Sequence, residues 1–320
     1  MKIGDQNLSR RKFLLGSCAA VVGGLLTPGG ASGMVTRPRL TARGLSAWAG
    51  FGPTPITGAT VNPTVYQMTN WVQAANTFDG YVGSGYTLAK TIQKFYMVEG
   101  RYPTQLPLRI TELAKVGCQF IICVYPSRTT DQSSQLTSYL QLLNSHGIHY
   151  QIALVNEWNC KDKFATPQAY LDYWGRYAPV VKNAGASVAS LVLATSNKAA
   201  FDKIEPGFPT PPNYPLPDAY WIDYYATAYP YLFARPDASG GLLDQAESYG
   251  VPVGVAEFGW SATGTSPTMQ QWDDYCTYLA GLAPRLPLGC LYFGSGSVNA
   301  VTSADDPKIP GIQQIVSAFQ

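Results

Sequence analysis

Histidine is scarce in this sequence, which has only His146 and His149 among its 320 residues. A zinc cluster or a Ser-His-Asp triad therefore has little to be built from. The sequence also lacks a G-x-S-x-G nucleophile turn, a G-x-G-x-x-G dinucleotide loop and a C-x-x-C pair. These absences weigh against a metallohydrolase, a serine hydrolase and a dinucleotide-dependent dehydrogenase. We expect no metal ion and no cofactor, which leaves carboxylates to carry the chemistry.

Charge is sparse as well, because charged residues make up only 13% of the chain and the formal net charge is +2. No run of five or more basic residues occurs, so the charge pattern of a nucleic-acid surface is missing. A chain of this length that is 46% hydrophobic can bury one large core. We therefore expect a single folded domain after any leader, no nucleic-acid partner and a monomer.

The N-terminal apolar stretch is short: it covers residues 13–26 and contains three glycines. A membrane span needs about 18 to 20 apolar residues. A Ser-Arg-Arg-Lys segment at 9–12 precedes the stretch and small residues follow it, a pattern that resembles a bacterial twin-arginine export signal. We expect an export signal over 1–33, an irregular leader over 34–43, and a secreted protein, extracellular or periplasmic, with no stable membrane association after signal removal. A membrane or lipid anchor is the alternative.

Cysteines are few and do not suggest a disulfide framework. One of the six lies in the proposed signal, and the other five are Cys118, Cys123, Cys160, Cys276 and Cys290. An odd number excludes complete internal pairing, and twin-arginine substrates are exported already folded. Structural free thiols are therefore the expectation.

From residue 44 to the C-terminus, short apolar runs alternate with helical patterns, and eight alternations can be counted. The runs lack strict polar alternation, as expected for parallel strands covered on both faces. The predicted strands are residues 45–50, 91–98, 119–125, 150–155, 188–194, 221–226, 251–256 and 288–293. Strand followed by helix eight times favours a single α/β domain, a (β/α)8 TIM barrel over 44–320, rather than a doubly wound sheet.

Two glutamates lie at the ends of predicted strands: Glu257 directly follows one, and only Asn156 separates Glu157 from the other. Glu157 comes after the fourth strand and Glu257 after the seventh, so a barrel places both at the C-terminal ends of its strands, where active sites lie. A carboxylate at the end of a buried apolar strand is costly unless it is paired or used. A salt-bridged rim residue is the alternative for either glutamate alone. Both together, on opposite sides of the ring, favour a catalytic pair.

Three segments resemble clan A of the glycoside hydrolases, whose retaining enzymes are (β/α)8 barrels. Asn156-Glu157-Trp158 is similar to the acid/base motif at the end of the fourth strand, and residues 256–260 (Ala-Glu-Phe-Gly-Trp) are similar to the nucleophile motif. Residues 222–230 are similar to the sixth-strand segment that ends in a tyrosine. The resemblance follows the layout of the chain from about residue 44 to 319, but only these segments match in detail.

The resemblance implies catalytic roles for these residues. Glu157 is expected to be the general acid/base and Glu257 the nucleophile of a double displacement at a glycosidic bond. The resemblance to the clan implies that this bond is a β-linkage. Asn156 is expected to bind the sugar 2-hydroxyl, and Tyr229 to donate a hydrogen bond to the nucleophile. The arginine that the clan carries on its second strand has no clear counterpart, and Lys94 and Arg101 are the two candidates for its place.

Aromatic residues at predicted strand ends are candidates for stacking on sugar rings. They are Trp158, Trp260, Tyr125, Trp48 and Phe293. Each of them is equally well explained as packing in the barrel wall. The aromatic residues around the sixth predicted strand, Tyr225 among them, are expected to be structural.

The expected partner is a carbohydrate, either a polysaccharide or an oligosaccharide. Two other interpretations remain open at this point. One is a secreted carbohydrate-binding barrel that does not catalyse, against which the two glutamates argue. The other is a transglycosylase with the same carboxylate pair, which differs only in the acceptor.

Overall fold

The computed structural model describes residues 76, 79–82, 92–97, 102–106, 108–160, 162–194, 198–228, 242–261, 266–292, 299, 301 and 303–319. The strands are β1 Ile92–Tyr96, β2 Gln119–Val124, β3 Tyr150–Leu154, β4 Ser187–Ala194, β5 Ala219–Tyr225, β6 Val253–Gly259 and β7 Cys290–Tyr292. The helices are α1 Leu108–Lys115, α2 Ser133–Ser145, α3 Pro167–Asn183, α4 Lys198–Phe201, α5 Leu242–Ser248, α6 Met269–Gly281 and α7 Ile309–Phe319. Short 3-10 helices cover Ala226–Ala228 and Ala283–Arg285.

The seven strands form one parallel sheet in sequential order, each strand bonded to the next along the chain. They correspond to the second through eighth strands predicted from the sequence. The first predicted strand, 45–50, lies outside the described residues, as do the proposed signal and leader. Parallel strands in sequential order with helices between them are the arrangement of a (β/α)8 barrel, so the predicted fold class is confirmed.

The sheet curls far enough to bring distant strands together. In a flat sheet with strands about 4.8 Å apart, β1 and β5 would be separated by about 19 Å. Instead the Nζ atom of Lys94, on β1, lies 2.7 Å from Oδ2 of Asp223, on β5. The same atom lies 2.9 Å from Oε1 of Glu257, on β6. Such contacts require the sheet to close on itself nearly completely.

Two hydrophobic clusters lie on the two faces of this curved sheet. The inner cluster packs alanine, isoleucine and leucine side chains and Cys123 around Trp221. Trp221 enters the barrel because the neighbouring strand has Gly254 beside it, where a Cβ atom would lie only 2.4 Å from the indole ring. The indole donates from Nε1 to Oε1 of Gln151 at 2.8 Å, so its one polar group is satisfied inside the barrel.

The outer cluster joins the sheet to its helices. In α2 the buried residues Leu136, Tyr139, Leu140 and Leu143 recur at helical spacing and form one apolar face. Thr166 is the N-cap of helix α3: its side chain accepts a hydrogen bond from the Ala169 backbone N–H, and the helix begins at Pro167. Helices α1, α2, α3 and α5 end a few residues before the next strand begins. The strands are all parallel, so they begin at the same edge of the sheet and run in the same direction.

Both histidines lie at the edge of the barrel away from the strand ends that carry the glutamates. His146 caps the C-terminus of α2, and His149 directly precedes β3. The next residue after His146 is Gly147, with φ of 68°, a left-handed conformation that glycine adopts without strain. Within the described part of the chain, no helix combines the length and the apolar character needed to cross a bilayer.

Candidate active site

Three carboxylates meet at the C-terminal ends of the strands. One oxygen from each of Glu157, Asp223 and Glu257 lies within 4.8 Å of the others. Glu157 is 8% exposed, Glu257 is 4% exposed and Asp223 is fully buried, so water screens their charges poorly. Three like charges this close require compensation by a cation or by protons.

The backbone around Glu157 is strained. Val155 has φ of 68° and Glu157 has φ of 50°, a left-handed conformation that is a true outlier for a β-branched valine. The segment is bonded on both sides, from the Val155 amide to the Val124 carbonyl and from the Trp158 amide to the Leu191 carbonyl. Strain of this kind persists only where the surroundings hold it, and it is concentrated at functional sites.

Asn159 anchors the same turn to the neighbouring strand. Its amide nitrogen donates to the Leu193 carbonyl at 2.8 Å, and its amide oxygen accepts from the Leu193 backbone N–H at 2.8 Å. Asn156 is also buried, with Oδ1 located 3.9 Å from the Cys123 sulfur. The turn therefore holds Asn156 and Glu157 in fixed positions at the mouth of the barrel.

A β-bulge orients the second glutamate. Ile222 pairs with Val255, but the next residue of β5, Asp223, pairs with Glu257, so Ala256 is an extra residue in β6. Ala256 belongs to the inner cluster, and Glu257 contacts Lys94 inside the barrel as well. Two consecutive residues therefore face inward, which a regular strand does not allow. Without the bulge, Glu257 would point away from the barrel interior.

Lys94 supplies the positive charge of the site. Its Nζ atom donates to Oδ1 and Oδ2 of Asp223 at 2.8 and 2.7 Å and to Oε1 of Glu257 at 2.9 Å. An ammonium group carries three N–H donors, and these contacts place three carboxylate oxygens within their reach. Burial would lower the pKa of Lys94, but the charges of Asp223 and Glu257 together outweigh burial and raise it. Lys94 is thus a permanent cation on the strand where the clan carries its arginine.

Asp223 was not among the residues singled out in the sequence. Burial raises the pKa of its carboxyl group, the charge of Glu257 raises it further, and the ammonium of Lys94 opposes both. We favour the ionised form, because both carboxylate oxygens accept hydrogen bonds from one ammonium group. The sequence signal for Asp223 is an acidic residue inside an otherwise apolar and aromatic strand.

Tyr225 donates a hydrogen bond to Oε2 of Glu257. Burial raises the pKa of Tyr225, and the negative charge of Glu257 raises it further, so the hydroxyl keeps its proton and acts as a donor. The expectation that Tyr225 is structural is therefore incomplete. Tyr229, the tyrosine selected by resemblance, lies outside the described residues. Because Tyr225 follows Asp223 by two positions on one strand, the alternation of β-strand side chains is the signal that identifies it.

Two cysteines border the site. Cys123 is fully buried beneath it, and the Cys160 sulfur lies 4.0 Å from Oε2 of Glu157. Burial raises the pKa of both thiols, so they remain protonated and contribute bulk rather than a nucleophile. All five cysteines outside the proposed signal are free thiols.

The predicted sugar-stacking aromatic residues occupy different environments. Trp158 is fully buried and stacks on Tyr170 with ring centroids 4.0 Å apart, so in this structure it packs in the barrel wall. Tyr125 is partly exposed at the end of β2, with the Lys163 ammonium 5.6 Å from its ring centroid. Trp260 is also partly exposed, beside the buried Trp272. Trp48 and Phe293 lie outside the described residues.

A lysine already binds where a metal ion would be expected among these carboxylates. Three acidic side chains so close together are a typical cation-binding set. In this site the Lys94 ammonium lies within 2.9 Å of both Asp223 and Glu257, and it compensates the charge that would attract a second cation.

Fold and site together define a parallel barrel with a carboxylate–lysine centre at the C-terminal ends of its strands. No protein-family model matches the sequence, and no curated protein matches it. Among solved structures, the chain is similar to Cel5A of Thermotoga maritima, crystallised in a mutant form with cellobiose substrate. The two are 11% identical over 77% of this chain and 88% of that chain, with a TM-score of 0.47.

Two further solved structures are similar to the chain. The catalytic domain of the GH26 endo-β-1,4-mannanase from Bacillus sp. JAMB-750 is 12% identical over 76% of this chain and 79% of its own, with a TM-score of 0.46. The GH39 enzyme from Xanthomonas axonopodis pv. citri is 12% identical over 72% of this chain, with a TM-score of 0.42. This chain spans only 56% of that enzyme's length. All three neighbours are glycoside hydrolases.

Proposed function

We propose that the protein is a retaining glycoside hydrolase in which Glu157 is the general acid/base and Glu257 is the nucleophile. The observation that carries the proposal is the meeting of these two buried carboxylates, with oxygens within 4.8 Å, at the C-terminal ends of the barrel strands. Retaining enzymes hold their two carboxyl groups about 5 to 5.5 Å apart, whereas inverting enzymes hold them about 6.5 to 9.5 Å apart to admit a water. The short separation favours retention.

The two glutamates have neighbours that suit different steps. In the first step, a carboxylate oxygen of Glu257 bonds to the anomeric carbon, the glycosidic C–O bond breaks, and the leaving oxygen takes the proton of Glu157. In the second step, Glu157 takes a proton from water, the water oxygen bonds to the anomeric carbon, and the ester to Glu257 breaks. Lys94 and Tyr225 bind the two oxygens of Glu257 and favour its ionised form.

The other binding roles belong to the same proposal. Asn156 would bind the sugar 2-hydroxyl, and the partly exposed rings of Tyr125 and Trp260 would line the cleft. Tyr229 remains a candidate contact. By resemblance the bond is a β-glycosidic bond in a polysaccharide or oligosaccharide, and the protein is a monomer exported through its Arg-Arg segment, soluble after signal removal.

The experiment that tests the proposal separates the two glutamates by product configuration. Glu157→Ala should still form the glycosyl-enzyme from an aryl β-glycoside whose leaving group needs no proton, and azide should release the β-glycosyl azide. Glu257→Ala removes the nucleophile, so azide entering the cavity from the opposite face should give the α-azide. Loss of general acid/base catalysis typically costs about 10²- to 10⁴-fold, so both effects are measurable by NMR of the products.

The contrary results are equally distinct. If Glu157→Ala gave the α-azide and Glu257→Ala the β-azide, the roles of acid/base and nucleophile would have to be exchanged. If azide rescued neither variant, the carboxylate mechanism would be wrong. A carbohydrate-binding barrel without activity would show binding to a glycan panel but no wild-type turnover.

A further inference from the structure

The contact between Lys94 and Asp223 crosses the interior of the barrel and has no role in the mechanism above. Asp223 binds two of the three ammonium hydrogens of Lys94, at 2.7 and 2.8 Å, and the third is directed to Oε1 of Glu257 at 2.9 Å. Asp223 is fully buried, so this carboxylate has no access to substrate or solvent. Its side chain contacts Lys94. Its position on β5 pairs with Glu257 on β6 across the bulge.

We propose that Asp223 is a positioning residue for the nucleophile: it fixes the Lys94 ammonium on Glu257 and sets how strongly that ammonium withdraws charge from it. The inference rests on the proposed glycosidase function. A buried lysine with Glu257 as its sole partner would bind the carboxylate tightly and weaken it as a nucleophile. Asp223 competes for the same ammonium from the opposite side, so Glu257 is oriented by one hydrogen bond but keeps most of its negative charge.

Titratable side chains of the described residues reach the surroundings of Glu257 from β1, β2, β5 and the turn after β3. They are Lys94 on β1, Cys123 on β2, Glu157 after β3, and Asp223 and Tyr225 on β5. Among them only Asp223 both repels the negative charge of Glu257 and holds the cation that attracts it. Replacing Asp223 by a neutral residue should therefore lower the pKa of Glu257 and move the acid limb of the kcat/KM profile to lower pH.

The test compares Asp223→Asn, Lys94→Gln and the double variant on the aryl β-glycoside that the wild type cleaves best. Asp223→Asn should lower kcat by about 10²-fold with little change in KM, because the lost interaction is electrostatic and acts after binding. The acid limb should move to lower pH. In the Lys94→Gln background, Asp223→Asn should change kcat by less than about tenfold, because the lysine through which it acts is gone and only its direct repulsion of Glu257 remains.

Asp218→Asn is the matched control. Asp218 accepts from the Lys182 ammonium at 2.7 Å and lies just before β5, at the opposite end of that strand from Asp223. It should leave kcat and the pH profile unchanged. If Asp223→Asn alone does not fold, the double variant removes both charges together and still allows comparison with Lys94→Gln.

Two results would overturn the inference. One is an Asp223→Asn variant that melts at lower temperature but keeps the wild-type kcat and acid limb. The other is a kcat that falls by a further tenfold or more when Asp223→Asn is added to the Lys94→Gln variant. A wild type inactive on every glycoside, or a Glu257→Ala variant with full turnover, would instead overturn the proposed function and the inference with it.

Discussion

At the scale of single residues, both oxygens of Glu257 have identified donors. Lys94 donates to Oε1 and Tyr225 to Oε2, so the plane of the carboxylate is fixed before any substrate arrives. Glu157 lies in a turn whose backbone is left-handed at Val155 and at Glu157 itself, with the Cys160 sulfur 4.0 Å from its Oε2 atom. The backbone of this turn therefore contributes to the position of Glu157.

Tyr225→Phe tests the hydrogen bond to Glu257 directly. A hydrogen bond to a charged group contributes about 1.5 to 3 kcal/mol, so kcat/KM should fall by roughly 10- to 100-fold while the fold is retained. Tyr170→Phe is the control, because the Tyr170 hydroxyl is equally buried and lies 2.9 Å from the Ser190 hydroxyl in the wall. Steady-state kinetics of both variants should separate them. Equal activity in the two would remove Tyr225 from the site.

The sequence predicted some of these residues and not others. Glu157 and Glu257 were identified because each lies at the end of a predicted strand, and strand ends follow from local patterns. The pairing of Lys94 with Asp223 joins residues 129 positions apart, and it depends on how far the sheet curls. Burial of Trp158 depends on Gly207, beside which the indole packs, so that a Cβ there would clash with the ring. Neither relation leaves a signal in the local sequence.

At the scale of elements, β6 combines two features that direct Glu257 into the barrel. Gly254 leaves room for the Trp221 indole, and the bulge at Ala256 turns the following residue inward. The sequence predicted the strand at 251–256, whereas the structure extends β6 from Val253 to Gly259 and includes the glutamate itself. An apolar run ends at its first charged residue, but a strand continues as long as its backbone is paired.

Gly254→Ala should disturb this element. The new Cβ would lie 2.4 Å from the Trp221 ring and 2.7 Å from the Leu288 Cβ, and overpacking of this kind costs about 1 to 3 kcal/mol. Because Glu257 is three residues further along β6, kcat should fall as well. Gly281→Ala is the control, since no atom lies within 4 Å of its added Cβ and the glycine ends α6. Urea unfolding should show a lower free energy of unfolding for Gly254→Ala and an unchanged one for Gly281→Ala. Equal free energies of unfolding in the two variants would contradict the packing argument.

At the scale of the whole molecule, buried tyrosines and thiols make stability depend on alkaline pH. Burial raises the pKa of several of these groups, including Tyr170, Tyr225, Tyr275, Cys276 and Cys290. In the unfolded chain, cysteine and tyrosine lose their protons near pH values of about 8.5 and 10. Above about pH 8.5 the folded state therefore holds more protons than the unfolded state, and the free energy of unfolding falls as pH rises.

The expected outcome is a progressive loss of urea resistance above about pH 8.5 that steepens near about pH 10. Lys94 adds to the loss at still higher pH, because the charges of Asp223 and Glu257 outweigh its burial and raise its pKa. Denaturation midpoints at a series of pH values, with reducing agent present, should record this slope. A midpoint that stays constant to about pH 11 would mean that these groups ionise in the folded state too.

The separation of contacts along the chain has a consequence for how the protein folds. Neighbouring strands pair residues that are close in sequence, as Ile92 does with Gln119, and such contacts close short loops. The bonds from Lys94 to Asp223 and Glu257 close loops of 129 and 163 residues, which cost more entropy to form. They become favourable only after the intervening strands are in place. In a partly folded chain, whether newly made or partly denatured, the contacts of Lys94 with Asp223 and Glu257 are therefore still missing, and the charges of the site are not yet balanced.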